Sequence, residues 1–176
     1  MCRLFAAVSV CVVFAVCLTD ALLREQCFKG SKVYVLGEPS VGEELEKAGV
    51  QCLGMAADGY NNPKARSIQP VEMSQLEPDP EVTAVVVAFD SQLNYYKLAM
   101  AALYVQRGAR FVATNADRQY PCNNRKLPAN GTLVGSVAMT CEKPPDVVCG
   151  KPNPVVMEGL LQDHQLDPRK VIPIRF

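Results

Sequence analysis

Three short polar stretches stand where chemistry could be done. Gly150-Lys151-Pro152 follows Asp146 to Cys149, Thr114-Asn115-Ala116-Asp117 follows Arg110 to Ala113, and Phe89-Asp90 follows Thr83 to Ala88. In the first, a glycine lets backbone approach a ligand closely, a lysine brings a compact positive charge suited to phosphate, and Pro152 helps set up a helix start. In the other two, amide and carboxylate side chains can donate to or accept from a small molecule. Taken alone, a lysine in a Gly-Lys-Pro turn is most often just hydrated. Asp117 equally fits a turn in which a carboxylate bonds its own backbone.

Other chemistries have little material. The single histidine, His164, sits in the polar stretch Gln162-Asp163-His164-Gln165 and reads as a surface residue, so a histidine-centred metal cluster or a Ser-His-Asp triad is excluded. Eight cysteines include no C-x-x-C spacing; Cys2, Cys11 and Cys17 fall in or beside the N-terminal apolar run, and the other five are scattered. That pattern argues against a zinc site and a disulfide framework, and for free thiols in a reducing compartment. Eighteen basic residues balance eighteen acidic ones, so no net field draws the chain to nucleic acid. A small molecule or a protein is the expected partner.

The elements that must carry these stretches alternate. Lys32 to Gly37 reads as a buried strand ended by glycine, and Val41 to Ala48 as a helix stopped by Gly49. Residues 54–80, rich in Gly, Asn and Pro, read as loop with a short element. Thr83 to Ala88 is a β-branched run of the kind that parallel sheets bury on both faces. Asn94 to Gln106 carries Leu98, Ala101, Ala102 and Val105 at helical spacing, Gly108 ends it, and Arg110 to Ala113 returns as a strand. Pro121 to Asn130 reads as a polar loop, Thr132 to Thr140 as helix, Asp146 to Cys149 as strand, Pro154 to His164 as helix and Lys170 to Ile174 as a last strand. Repeated βαβ steps define an α/β fold, and ligands of such sheets gather outside the carboxyl ends of the strands. All three polar stretches lie at such ends.

The N-terminus differs from the rest. Leu4 to Leu18 is apolar apart from Ser9, follows Arg3, and is shorter than the roughly 20 residues of a membrane span. A basic start, a short apolar run and small residues near Ala15 and Ala21 fit a secretory signal peptide, without a clean A-x-A site. A buried helix, or sequence foreign to the domain through an error of gene prediction, fits as well.

Here the residues carry a resemblance. The run Gly150 to Ile174 resembles a segment of haloacid-dehalogenase-superfamily phosphatases in which a lysine opens a G-K-P-x-P helix and an L-D-P turn, here Leu166-Asp167-Pro168, leads into a strand. Val33 to Glu38, Ala84 to Asp90 with Tyr95, Lys97 and Leu98, and Thr114 to Asp117 are similar, in the same order, to the 4-nitrophenylphosphatase, phosphoglycolate phosphatase and pyridoxal phosphatase branch. The resemblance runs from about Lys32 to Ile174.

It implies a large α/β cap domain over 32–127, joined to an incomplete Rossmann-like core over 128–176, with 1–31 as an apolar N-terminal segment. It implies Lys151 as the phosphate-contacting lysine and Asn115 and Asp117 as substrate-facing residues of the cap. Family enzymes hydrolyse small phosphate monoesters, such as phosphoglycolate, 4-nitrophenyl phosphate or pyridoxal phosphate, through an aspartyl-phosphate held with Mg²⁺. The D-x-D nucleophile motif, the T-N-N type motif and the G-D-x-x-x-T-D metal motif of that family do not occur here, so Mg²⁺ belongs to the complete family enzyme and its ligands are absent from this chain. As written, the chain is expected to be inactive. The alternative is a non-catalytic binding or regulatory module derived from the cap. A small phosphorylated metabolite, a homodimer through the cap and a cytoplasmic location are the further implications, with secretion or tethering through residues 4–18 as the competing location. Asn130-Gly131-Thr132 matches a glycosylation sequon, but its place before a helix reads as structural.

Overall fold

The computed structural model describes residues 31–58 and 70–150, together with 161, 165 and 167. The apolar run 4–18, Lys151, His164 and the elements expected over 154–164 and 170–174 lie outside the described residues.

Five strands pair in parallel among the described residues: β1 (Lys32–Leu36), β2 (Gln51–Gly54), β3 (Val82–Val87), β4 (Arg110–Ala113) and β7 (Val147–Val148), in the order β2-β1-β3-β4-β7. The fold is therefore α/β. Between the strands run α1 (Pro39–Lys47), a 3-10 turn (Met55–Asp58), α2 (Pro70–Ser74), α3 (Tyr95–Gln106) and α4 (Asn130–Cys141); β5 (Gln119–Cys122) and β6 (Arg125–Pro128) form an antiparallel hairpin of their own.

Side chains that alternate along a strand point to opposite faces. Tyr34, Val85, Val87, Phe111 and Ala113 join a core with Tyr96, Met100 and Tyr104 of α3 and with Leu133, Val134 and Val137 of α4. Val33, Val35, Ala84, Val86 and Val112 face the other way and pack with Val41 and Leu45 of α1. The central strand β3 is buried from Ala84 to Val87 on both faces, which is why its sequence is an unbroken β-branched run. Burying the side chain of one such valine contributes about 1.5–3 kcal/mol.

Helix ends follow their local signals. Asn94 caps α3, its side chain accepting from the Lys97 N–H at 2.9 Å, and Gly108 beyond the helix takes φ +96°, a conformation that a Cβ would oppose. β7 is held to β4 at both levels: Phe111 N–H donates to Asp146 Oδ2 at 2.7 Å, and Cys149 N–H donates to the Ala113 carbonyl at 2.9 Å. The sheet thus runs through residue 127, because α4 packs beside α3 and β7 extends the same sheet.

Two elements depart from the sequence reading. Gln51–Gly54 is an edge strand where no strand was expected, and the expected polar loop 121–130 is the β5–β6 hairpin, turned at Asn123 and Asn124 with φ of 46° and 61°. No helix among the described residues is long and apolar enough to cross a membrane. Cys52, Cys122, Cys141 and Cys149 are free thiols, and burial with the nearby Glu46 pushes Cys52 up to about 12.

Candidate functional site

The carboxyl ends of β3, β4 and β7 meet at one place. After β3 the chain turns at Ala88 to Asn94, pinned by Glu38: its N–H donates to the Phe89 carbonyl at 3.1 Å, and its carboxylate accepts from Ser91 N–H at 2.9 Å. Asp90 points inward. Its Oδ2 lies 2.6 Å from Lys97 Nζ, both side chains are 2% exposed, and its Oδ1 accepts from Gln92 N–H at 2.8 Å. The charge of Asp90 is thus matched within the fold.

After β4 the arrangement is open. Thr114 is buried and its N–H continues the ladder to the Val87 carbonyl at 3.0 Å. Asn115 is half-buried, and its Oδ1 accepts from Asp117 N–H at 3.1 Å, closing an Asx turn that does not use its amide nitrogen. Asp117 is exposed, and among the described residues its carboxylate has no hydrogen-bond or ion partner. The turn-forming side chain is Asn115, while Asp117 supplies the backbone that it binds.

Two glycines shape this corner. A Cβ on Gly131 would lie 2.6 Å from the Ala116 carbonyl oxygen and 2.7 Å from that of Asp117, and one on Gly150 would lie 2.9 Å from Asn115 Cβ. Real Cβ atoms do not come so near, so α4 and the end of β7 can close on the Asn115 loop only with glycine there. Lys151 follows Gly150 in sequence and lies outside the described residues.

Asn130 is the residue the sequence reading underrated. Its buried side chain amide donates to the Val87 carbonyl (3.2 Å), Thr114 Oγ1 (3.1 Å) and the Asn115 carbonyl (2.9 Å). The residue is 2% exposed, so the sequon pattern marks a structural amide, as expected. Nothing in the sequence distinguishes it from a sequon but its place at a helix start.

A cavity of about 480 Å³ lies elsewhere, lined by Tyr34, Met55, Tyr96 and Tyr104 together with Asp58 and Asp79, and it shares no residue with the 114–117 loop. Tyr34 Oη donates to Asp58 at 2.8 Å, and burial together with that carboxylate pushes its hydroxyl well above the ordinary tyrosine range. Acid-lined space of this kind repels a phosphate dianion, so the open corner at β4 is the better candidate site. Among the described residues no three His, Cys, Asp or Glu side chains gather as metal ligands, and Mg²⁺ finds no fitting donor set in them.

A parallel α/β sheet with polar loops collected at its carboxyl edge defines the class: an α/β protein of the kind whose ligands gather outside that edge. No family model matches the chain. It is 31% identical to human glycerol-3-phosphate phosphatase over 167 residues, covering 92% of this chain and 50% of that protein. It is 38% identical to phosphoglycolate phosphatase 2 of Arabidopsis thaliana over 137 residues, covering 76% and 44%. Among solved structures it superposes on a p-nitrophenyl phosphatase from Archaeoglobus fulgidus with a TM-score of 0.67 at 27% identity, covering 88% and 49%. It superposes equally, with a TM-score of 0.67 at 23% identity, on a glycerol phosphate phosphatase from Mycobacterium tuberculosis in complex with magnesium, covering 87% and 40%. By sequence and fold the chain is a relative of the haloacid-dehalogenase-like phosphatases. It spans about half the length of the curated relatives it matches.

Proposed function

We propose that this chain is the substrate-recognising α/β unit of a phosphatase that hydrolyses small phosphate monoesters, of the phosphoglycolate, glycerol phosphate or aryl phosphate kind. The observation that carries it is the sequence relation to phosphatases acting on such esters, which extends over 92% of the chain. The open corner supports it. An exposed carboxylate repels phosphate but accepts from a hydroxyl or an ammonium, so Asp117 suits the leaving group, and Asn115 keeps a donor amide for it. Lys151 suits the phosphate itself.

In this reading the cap-like unit, expected over 32–127, is extended to residue 148 because β7 pairs with β4 in the same sheet, and Gly150 is where the chain leaves it toward the core residues that follow. The aspartyl nucleophile and the Mg²⁺ ligands belong to the complete enzyme, so the isolated chain recognises the ester without turning it over. A homodimer through the same unit is part of the proposal, and sedimentation of the chain at two concentrations tests it.

The direct test is titration of the ¹⁵N-labelled chain with glycerol 3-phosphate, whose hydroxyls can donate to Asp117. Saturable shifts at Asn115, Ala116 and Asp117, weakened in Asn115→Ala and in Lys151→Ala, are the expected result; no saturable shift at these amides sinks the reading. A companion assay with millimolar substrate and Mg²⁺ is expected to stay at the blank. Turnover that falls in Lys151→Ala would reveal a catalytic carboxylate in this chain and overturn the assignment of chemistry to residues outside it.

A further inference from the structure

We infer that Asn130 is a positioning residue for the recognition loop, holding Asn115 and Asp117 in their ligand-facing geometry; this rests on the reading of that loop just given. Ala129 holds the N-cap position of α4, so Asn130 is the first helical residue and its side chain has no capping task. Its amide turns instead to the ends of β3 and β4. Helix α4 has no side-chain cap at Ala129, the Asn130 NH₂ points away from the helix, and its Oδ1 is buried with no partner. A buried acceptor without a donor is unfavourable, so the side chain gives up its own satisfaction on the oxygen side. What it holds with the nitrogen is specific: the last carbonyl of β3, the Thr114 hydroxyl that ends β4, and the Asn115 carbonyl inside the loop. Two N–H bonds serve three acceptors, so one of them is shared.

The backbone next to it acts on the same loop from the same side. Gly131 N–H donates to the Asp117 carbonyl at 2.8 Å, and Ala129 N–H donates to the Arg118 carbonyl at 3.2 Å. The start of α4 therefore binds the loop at residues 114, 115, 117 and 118. Asn115 uses its own Oδ1 within the turn, so its backbone orientation, and with it the direction of its amide and of Asp117, is fixed from Asn130. All three bonds of the Asn130 amide go to the strand ends and the loop.

The test uses the full chain and glycerol 3-phosphate as probe, with affinity and melting temperature measured on each variant. Asn130→Asp keeps the shape but replaces the donor with an acceptor facing three acceptors, and Asn130→Ala removes the amide. Both are expected to weaken binding on the order of tenfold, since small misplacement of recognition groups is costly, at a temperature where the variants remain folded, and to shift the free-state amides of Asn115 and Asp117 while those of Val33 and Val35 stay in place. If either variant fails to fold, Gly131→Ala displaces the loop from the same side and is expected to give the same loss of affinity. Unchanged affinity in the Asn130 variants, with Asn115→Ala still weakening binding, overturns the positioning role and leaves the loop reading intact. Unchanged affinity in Asn115→Ala and Asp117→Ala overturns the loop reading itself.

Discussion

The loops after β3 and β4 leave neighbouring parallel strands and each carries an aspartate, yet they treat it in opposite ways. Asp90 is buried against Lys97 at 2.6 Å, and the pair ties the loop to the first turn of α3. Asp117 is exposed with its carboxylate unpaired among the described residues, on a loop gripped through its backbone, the Thr114 hydroxyl and the Asn115 turn. The comparison separates two uses of one residue type at one kind of position. A buried carboxylate must be matched by charge and hydrogen bonds, and once matched it has little left for a ligand. An exposed one contributes little to folding and is free to bind.

The largest expected effect is at the closed loop. Asp90→Ala leaves the Lys97 ammonium buried without its partner and should destabilise the chain by about 3–5 kcal/mol, read as a lower melting temperature or denaturant midpoint. Replacing both residues, as Asp90→Leu with Lys97→Met, should recover much of that loss, because a buried pair often exchanges for apolar packing at little cost. A double variant as unstable as Asp90→Ala would show that the pair does more than neutralise itself.

Next comes Gly131→Ala, which forces a methyl against the Ala116 and Asp117 carbonyl oxygens. A cost of about 1–3 kcal/mol is expected, with the amide shifts of Asn115 to Asp117 moving most. Shifts confined to α4 would mean that the helix, and not the loop, yields.

Asp146 sharpens the comparison at the other end of β4. Burial would raise its carboxyl, but the Lys143 ammonium and the Phe111 N–H outweigh burial and hold it below the ordinary value. A group lowered on folding contributes stability above its unfolded value, about 3.9, and loses it as pH falls through the lower folded value. Acid unfolding of the native chain should therefore steepen below about pH 4, and Asp146→Asn should remove part of that slope. An unchanged slope would contradict the assignment.

The smallest effect on stability should come from Asp117→Asn, within about 0.5 kcal/mol, measured by thermal melting. A loss near that of Asp90→Ala would erase the distinction between the two loops.

Much of this architecture was legible because its signals are local. Val82–Val87 is a strand by composition, Asn94 and Gly108 bracket α3, and Arg110–Ala113 completes the βαβ step. Gln51–Gly54 escaped because an edge strand exposed at Gln51 and only half-buried at Cys52 and Leu53 has neither alternation nor a β-branched run. The β5–β6 hairpin escaped because all but one of its strand residues are exposed and its turn is Asn-Asn, a weaker signal than Asn-Gly. Its Tyr120 meets Phe89 edge-on at 6.1 Å, a contact between the hairpin and the loop after β3 that no local pattern encodes.

The sequence by itself determined the α/β class, the strands that carry the polar stretches, and the places at the carboxyl edge where Asp90, Asn115 and Asp117 must fall. Tertiary structure alone decided which aspartate is sealed and which is open, and that a sequon asparagine would be the grip on the recognition loop. The reason is range. Helix caps, strand runs and glycine stops act over a few neighbours in the chain, whereas the fate of a polar side chain depends on partners brought up by other elements: Lys97 from the first turn of α3 for Asp90, and the ends of β3 and β4 for the amide of Asn130.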